Sequence, residues 1–335
     1  MELHDFWLPT VSPRRIVAGR ISVTQLAVTG LLLAVAVWGV SFVVVRAAIS
    51  AYPVVGFLVL RFLIGGAALI ALAYIHQPSR PRWRMVPWRS LLGVGVALTV
   101  GYVTQTMGLD LGASPGVAAT LTSLVVVLTP AWEWLVLGRA PGGRVAVSAV
   151  LAIGGTLLIC ATAAPAAASA HGMPAVGVVL EILSAAAFAL QVVLVGRLGE
   201  SLSATALGGA QLLLVGILLL PVLPLTGGLP MPSPGVIAAV IFSALGASAF
   251  GFAVQAAAQK HISNAAAAVI MATEPGFALV AGVMVGEQRF GVLAGVGFLM
   301  LVIGVLAQGD GPWGERVRAA LLTAVSAGRL RHQEA

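Results

Sequence analysis

The sequence predicts an all-α integral membrane protein. Ten transmembrane helices form two inverted-topology five-helix repeats, with the N- and C-termini cytoplasmic. Three observations predict it. Hydrophobic residues make up 59% of the chain and charged residues 9%, against about 25% charged in a soluble domain. The apolar residues fall in runs of about 20, enough to cross the hydrocarbon layer as helices. The chain also repeats itself at an offset of 150 residues, with Gln105 recurring as Gln255, Arg61 falling on Gln211 and Ser41 on Gln191. Shared Ala or Leu means little in so apolar a chain. Shared polar residues mean more, because polar groups in hydrocarbon are costly and tend to be functional. An all-β reading fails, since runs this long do not alternate with period two.

Ten runs are expected to span, at roughly 24–45, 54–75, 89–109, 115–137, 143–163, 174–196, 202–224, 235–258, 264–285 and 290–308. The breaks between them carry turn and charge signals. These are Tyr52-Pro53, the polar stretch 78–89, Gly112 to Pro115, Pro141-Gly142-Gly143, Pro165 to Pro174, Gly227 to Pro234 and Gly286 to Arg289. The domains follow: 1–23 a cytoplasmic segment, 24–163 the first repeat, 164–173 an extracytoplasmic linker, 174–308 the second repeat, and 309–335 a cytoplasmic basic tail. Each repeat holds five spans, an odd number, so the second enters the membrane the opposite way round. Inverted repeats of this kind are a plan of secondary transporters, with the substrate site between the halves. Within the tail, Trp313 to Leu330 reads equally as a short surface helix or as a frayed basic segment.

Charge placement sets the topology. With the N-terminus inside, 15 of the 18 basic residues lie in the cytoplasm, Arg46 and Arg289 lie outside, and Arg61 is buried in the second span. That asymmetry is the positive-inside pattern for an even number of spans. It accounts for the net charge of +7 without nucleic acid. The first 22 residues show no cleavable signal pattern. Cys160 is the only cysteine, which excludes an intramolecular disulfide. The bias to Arg, Ala and Gly suggests a GC-rich bacterial genome, which together with the spans places the chain in a bacterial inner membrane.

Several stretches resemble motifs of the drug/metabolite transporter superfamily, in its EamA branch. They are Trp38 to Arg46, Leu60-Arg61-Phe62, Gly101 to Leu109, Thr122 to Pro130 closing at Leu137-Gly138-Arg139, and Thr273-Glu274-Pro275 leading to Gly286-Glu287. The resemblance covers about 24–308. It implies ten helices in two inverted halves, a cavity between them, and movement of small metabolites, commonly export of amino acids and related compounds. One departure is Gly138-Arg139, where many members carry Gly-Glu, as the second half does at Gly286-Glu287.

The candidate functional residues are polar groups within spans. Arg61 is the one cation well inside a span. It suits a substrate carboxylate held as a bidentate pair, or equally helix carbonyls, with Gln105 a partner at similar depth. Glu274 precedes Pro275, whose missing N–H leaves a backbone carbonyl open and marks a kink lining a cavity. Glu274 is a candidate for the coupling proton or a substrate amine, against a carboxylic acid that only locks helices. Glu181 either faces the cavity or pairs with Arg61. Glu133 lies between Trp132 and Trp134 and reads as a headgroup-level residue. Trp38 either lines the cavity or is a packing or lipid-facing residue. Ser41, Arg61 and Gln105 would form an outer polar cluster, and Gln191, Gln211 and Gln255 an inner one. These are two gates of one pathway, or hydrogen bonds gluing helices. Gly291 and Gly295 suit close packing within a monomer.

The expected partners are the bilayer and a small-molecule substrate, with protons if Glu274 couples them. Few buried charges disfavour multiply anionic cargo and suit a zwitterion or small polar molecule. A facilitative uniporter or channel is the alternative. An enzyme is disfavoured because HExxH and close His/Asp or Cys/His groupings are absent from the spans. No cofactor or metal is expected. A receptor is disfavoured because no soluble signalling domain is present.

Overall fold

The computed structural model describes residues 22–76, 83, 86–113, 115–139, 143–162, 175–199, 201–286 and 291–308. The expected linker, the basic tail, Glu287 and Arg289 lie outside these residues. In chain order the helices are α1 (Val23–Ile49), α2 (Val54–His76), α3 (Trp88–Asp110), α4 (Pro115–Thr122), α5 (Val125–Leu137), α6 (Gly143–Thr162) and α7 (Ala175–Leu198). There follow α8 (Ala204–Leu219), α9 (Pro234–Ile241), α10 (Gly251–Ala258), α11 (Asn264–Met271), α12 (Glu274–Met284) and α13 (Val292–Gln308). A 3₁₀ turn, Leu220–Leu225, extends α8, and a π-helical stretch, Phe242–Phe250, joins α9 to α10.

Among the described residues, eight helical spans are long and apolar enough to cross a membrane, and two shorter apolar helices cover 145–159 and 292–307. The protein is therefore a multi-pass membrane protein. Helix is the physical outcome because hydrocarbon offers no partner to a backbone N–H or C=O. Some ends fall in the stretches read as turn signals, at Gly112, Ser233 and Gly286. Ser22, Ser203, Ser233 and Ser263 each accept a backbone N–H at a helix start. Gly112, Gly138 and Gly286 close α3, α5 and α12 with φ of +102°, +67° and +77°, where a side chain would be strained.

Two expected spans are each two helices. The fourth breaks at Ser123-Leu124, between α4 and α5, and the ninth at Ala272-Thr273, between α11 and α12. At the repeat offset the two breaks coincide to within one residue. Pro275 lies in the first turn of α12, where its missing N–H costs nothing. In the fourth span Pro130 sits inside α5, past the break. Side-chain hydroxyls instead take up carbonyls there: Thr122 donates to the Ala118 carbonyl and Ser123 to the Ala119 carbonyl, at 2.9 and 3.0 Å.

The halves pack antiparallel about an approximate two-fold relation. In the α2–α8 pair, Leu63 lies against Gly216 and Gly66 against Leu213. Adding or subtracting the repeat offset exchanges these two contacts. The α3–α7 pair brings Gly101 under Phe188, and its counterpart brings Gly251 under Trp38. Helices α6 and α13 meet at Gly155 and Gly297, each too close to the other's carbonyl to admit a Cβ. Hydrophobic burial drives little of this within lipid, so small residues and close van der Waals contact hold the interface. A Cβ at position 66 would stand 2.7 Å from the Leu213 nitrogen. Gly66→Ala should therefore cost about 1–3 kcal/mol of overpacking strain, read as a lower melting temperature in detergent.

Candidate functional site

A narrow cavity lies between the halves. Its wall comprises Trp38, Ser41, Phe42 and Val45 of α1, Arg61 of α2, Tyr102, Gln105, Thr106 and Leu109 of α3, and Thr122 and Val125 at the α4–α5 break. Phe188 and Gln191 of α7, Phe252 of α10, Met271 and Glu274 complete it. The volume is about 40 Å³, room for roughly three waters. An amino acid enters only if the helices part.

Six of the nine residues singled out from the sequence meet at this wall: Trp38, Ser41, Arg61, Gln105, Gln191 and Glu274. Gln211, Gln255 and Glu181 do not line it. Trp38 is buried and donates its indole N–H to the Ala247 carbonyl at 2.6 Å. It faces the protein interior and not lipid. Ser41 donates to the Trp38 carbonyl at 2.7 Å.

Arg61 is 2% exposed. Its Nε donates to Ser248 Oγ at 2.8 Å, and a terminal nitrogen reaches the Tyr102 hydroxyl at 3.5 Å. The guanidinium carbon lies 4.8 Å from the Tyr102 ring centroid and 5.2 Å from that of Phe62, within cation–π range. Gln105, expected from depth to meet Arg61, instead donates to Thr122 at 3.0 Å. Among the described residues no carboxylate closes an ion pair with Arg61, and the Glu274 side chain makes no hydrogen bond. Glu274 is nevertheless near enough for its charge to act on Arg61. A cation and an acid thus face one aromatic-lined space with bonding capacity unspent.

Glu181 is fully buried on α7, packed against Gly108 of α3, with neither carboxyl oxygen hydrogen-bonded. It does not bond Arg61.

The second-half glutamines form a ladder. Gln191 donates to Gln211 at 2.8 Å, and Gln255 donates to Gln191 and Gln259, both at 3.1 Å. Gln259 donates to Asn264 at 2.9 Å, and Asn264 donates to Glu133 at 2.9 Å. The chain of amides runs from the cavity wall at Gln191 to Glu133 near the end of α5. Gln191 therefore belongs to both polar clusters. In the turn beyond α10, Lys260 donates to the Leu202 carbonyl at 3.0 Å, and burial pushes its pKa below the usual lysine value. Gln255→Leu would leave acceptors on Gln191 and Gln259 unmet in a dry interior, at about 1–3 kcal/mol each. A melting temperature several degrees lower in detergent is expected.

Sequence reasoning missed Ser248 and the rings of Tyr102, Phe188 and Phe252. Tyr102 contacts Phe62, Phe188 and Phe252 with ring centroids 4.7, 5.0 and 6.0 Å apart. The signal was present, since the repeat offset places Trp38 on Phe188 and Tyr102 on Phe252.

The sequence model of the EamA-like transporter family matches residues 25–161 and again 175–307. The chain belongs to the EamA-like transporter family. Two relatives of this EamA-like chain are described as uncharacterized transporters. One, YvbV of Bacillus subtilis (strain 168), is 29% identical over 197 residues, covering 57% of this chain and 61% of the relative. The other, from Archaeoglobus fulgidus, is 34% identical over 107 residues, covering 32% of this chain and 31% of the relative. A solved crystal structure superposes with a TM-score of 0.68 at 17% identity, covering 85% of this chain and 96% of that one. At that identity it shows the fold alone. Family and relatives point to transport rather than catalysis.

Proposed function

We propose that this EamA-like chain is a secondary transporter that exports amino acids or related zwitterionic metabolites by alternating access. One observation carries the reading. Arg61 and Glu274 line the same cavity between the inverted halves, yet no ion pair joins them. Arg61 is suited to a substrate carboxylate, and Glu274 to its ammonium group or to a coupling proton. The aromatic cluster beside them suits an apolar side chain. Ser41 and Gln105 line the route toward one face, and the Gln191–Gln211–Gln255 ladder closes it toward the other. The monomer is the transport unit, because both halves of one chain build the cavity. The direction of export rests on the family resemblance, and the bacterial inner membrane on composition.

The test is reconstitution into liposomes with a panel of labelled amino acids and small metabolites, with and without a pH gradient. Accumulation of a zwitterion driven by the gradient supports coupled transport. Gradient-independent equilibration would favour a uniporter. Absence of flux for every solute, in folded protein, would remove the transporter reading.

A further inference from the structure

Several polar positions at which the two repeats differ meet around Arg61. The counterpart of Arg61 is Gln211, and that of Glu274 is Leu124. Ser248, which accepts from Arg61 Nε, corresponds to Leu98, and Tyr102, which accepts from its terminal nitrogen, corresponds to Phe252. Trp38 corresponds to Phe188, which has no N–H. Both hydrogen-bond acceptors of Arg61 therefore come from residues whose counterparts lack the polar atom.

The backbone is unequal at the same place. The first-half counterpart of Phe242–Phe250 lies inside the unbroken α3, whereas Phe242–Phe250 itself is π-helical. Such segments are rare and occur often at functional sites. Here the local consequence is visible. The Gly251 N–H reaches back to the Gly246 carbonyl, one residue further than an α-helix would take it. The Ala247 carbonyl, its α-helical partner, receives the Trp38 indole N–H instead. The next residue, Ser248, turns its hydroxyl to Arg61. Ser248 is fully buried. One stretch of backbone thus anchors two side chains of the cavity wall.

We infer that Ser248, presented by the π-helical stretch, is a positioning residue that sets the orientation of the Arg61 guanidinium and so the affinity for a substrate carboxylate. This rests on the reading of Arg61 as the carboxylate-binding group. A planar fork binds a carboxylate through two parallel N–H donors only when its plane is held. The bond at Nε fixes how the fork is turned, with one terminal nitrogen toward the Tyr102 hydroxyl and the other making no hydrogen bond among the described residues. The rings of Tyr102 and Phe62 hold the position of the group, but a ring face does not fix rotation within its own plane.

The experiment uses the full chain in liposomes and labelled leucine as the probe. Three forms are compared: the unsubstituted protein, Ser248→Ala and Ser248→Thr. Ser248→Ala should raise KM for leucine about tenfold, the low end for loss of a hydrogen bond to a charged group, with Vmax within about twofold. Ser248→Thr, which keeps the hydroxyl, should restore KM. Melting temperature in detergent separates a folding defect from a positioning one. If Ser248→Ala does not fold, Ser248→Cys, nearly isosteric with a weaker acceptor, makes the same comparison. Leucine flux in the unsubstituted protein with KM unchanged on substitution overturns this inference alone. So does a fall in Vmax with KM unmoved. Absence of leucine flux in the unsubstituted protein overturns the zwitterion reading and this inference with it.

Discussion

Replacing Arg61 by glutamine should leave a folded protein that has lost its affinity for carboxylate-bearing substrates. Glutamine is the residue the repeat places at the equivalent position, Gln211, where it is buried and hydrogen-bonded to Gln191. An amide of that length is therefore compatible with this packing environment, and Ser248 and Tyr102 remain as partners for it. What disappears is the charge. Truncating one member of a buried charge pair costs about 2–5 kcal/mol, and the middle of that range is roughly three-hundredfold in the KM for a zwitterion. Arg61→Lys should fall in between, because an ammonium keeps the charge but not the planar fork. The measurement is KM for a labelled amino acid in liposomes beside melting temperature in detergent. A large fall in melting temperature with KM unmoved would make Arg61 a structural cation.

Glu274→Gln should uncouple transport from a pH gradient. The side chain keeps its size and hydrogen-bonding capacity and loses only its ability to exchange a proton. In this structure it makes no hydrogen bond among the described residues and faces the same space as Arg61. Gradient-driven accumulation should be lost, leaving the substrate equilibrated across the membrane. Exchange of substrate across the membrane without a gradient should persist. Intact accumulation with its pH response would remove Glu274 from coupling. Loss of exchange as well would place Glu274 on the substrate amine.

Much of the fold was legible because hydrocarbon permits so few solutions. A run such as 54–75 must satisfy its own backbone, so it is helical, and α2 ends one residue beyond it. The internal breaks were harder. The fourth and ninth spans read as continuous, since apolarity reports depth and not the course of the backbone. Pro275 flagged one break, but the other lies at Ser123-Leu124, where no proline marks it. The π-helical stretch had no reading at all, because Phe242 to Phe250 is as apolar and small as any helix nearby.

At the site, the sequence by itself determined the apolar runs, several of the polar residues within them and which positions of the two repeats correspond. Composition, run length and the repeat offset are properties of the chain that no packing changes. Only the tertiary structure decided who meets whom. It paired Arg61 with Ser248, 187 residues away, and Gln105 with Thr122. It also joined three glutamines expected as one cluster to Gln259, Asn264 and Glu133. The physical reason is geometric. Depth along a span follows from residue number at about 1.5 Å per residue. The direction a side chain faces depends on rotation about each helix, and that rotation is set by where the glycines allow neighbours to touch.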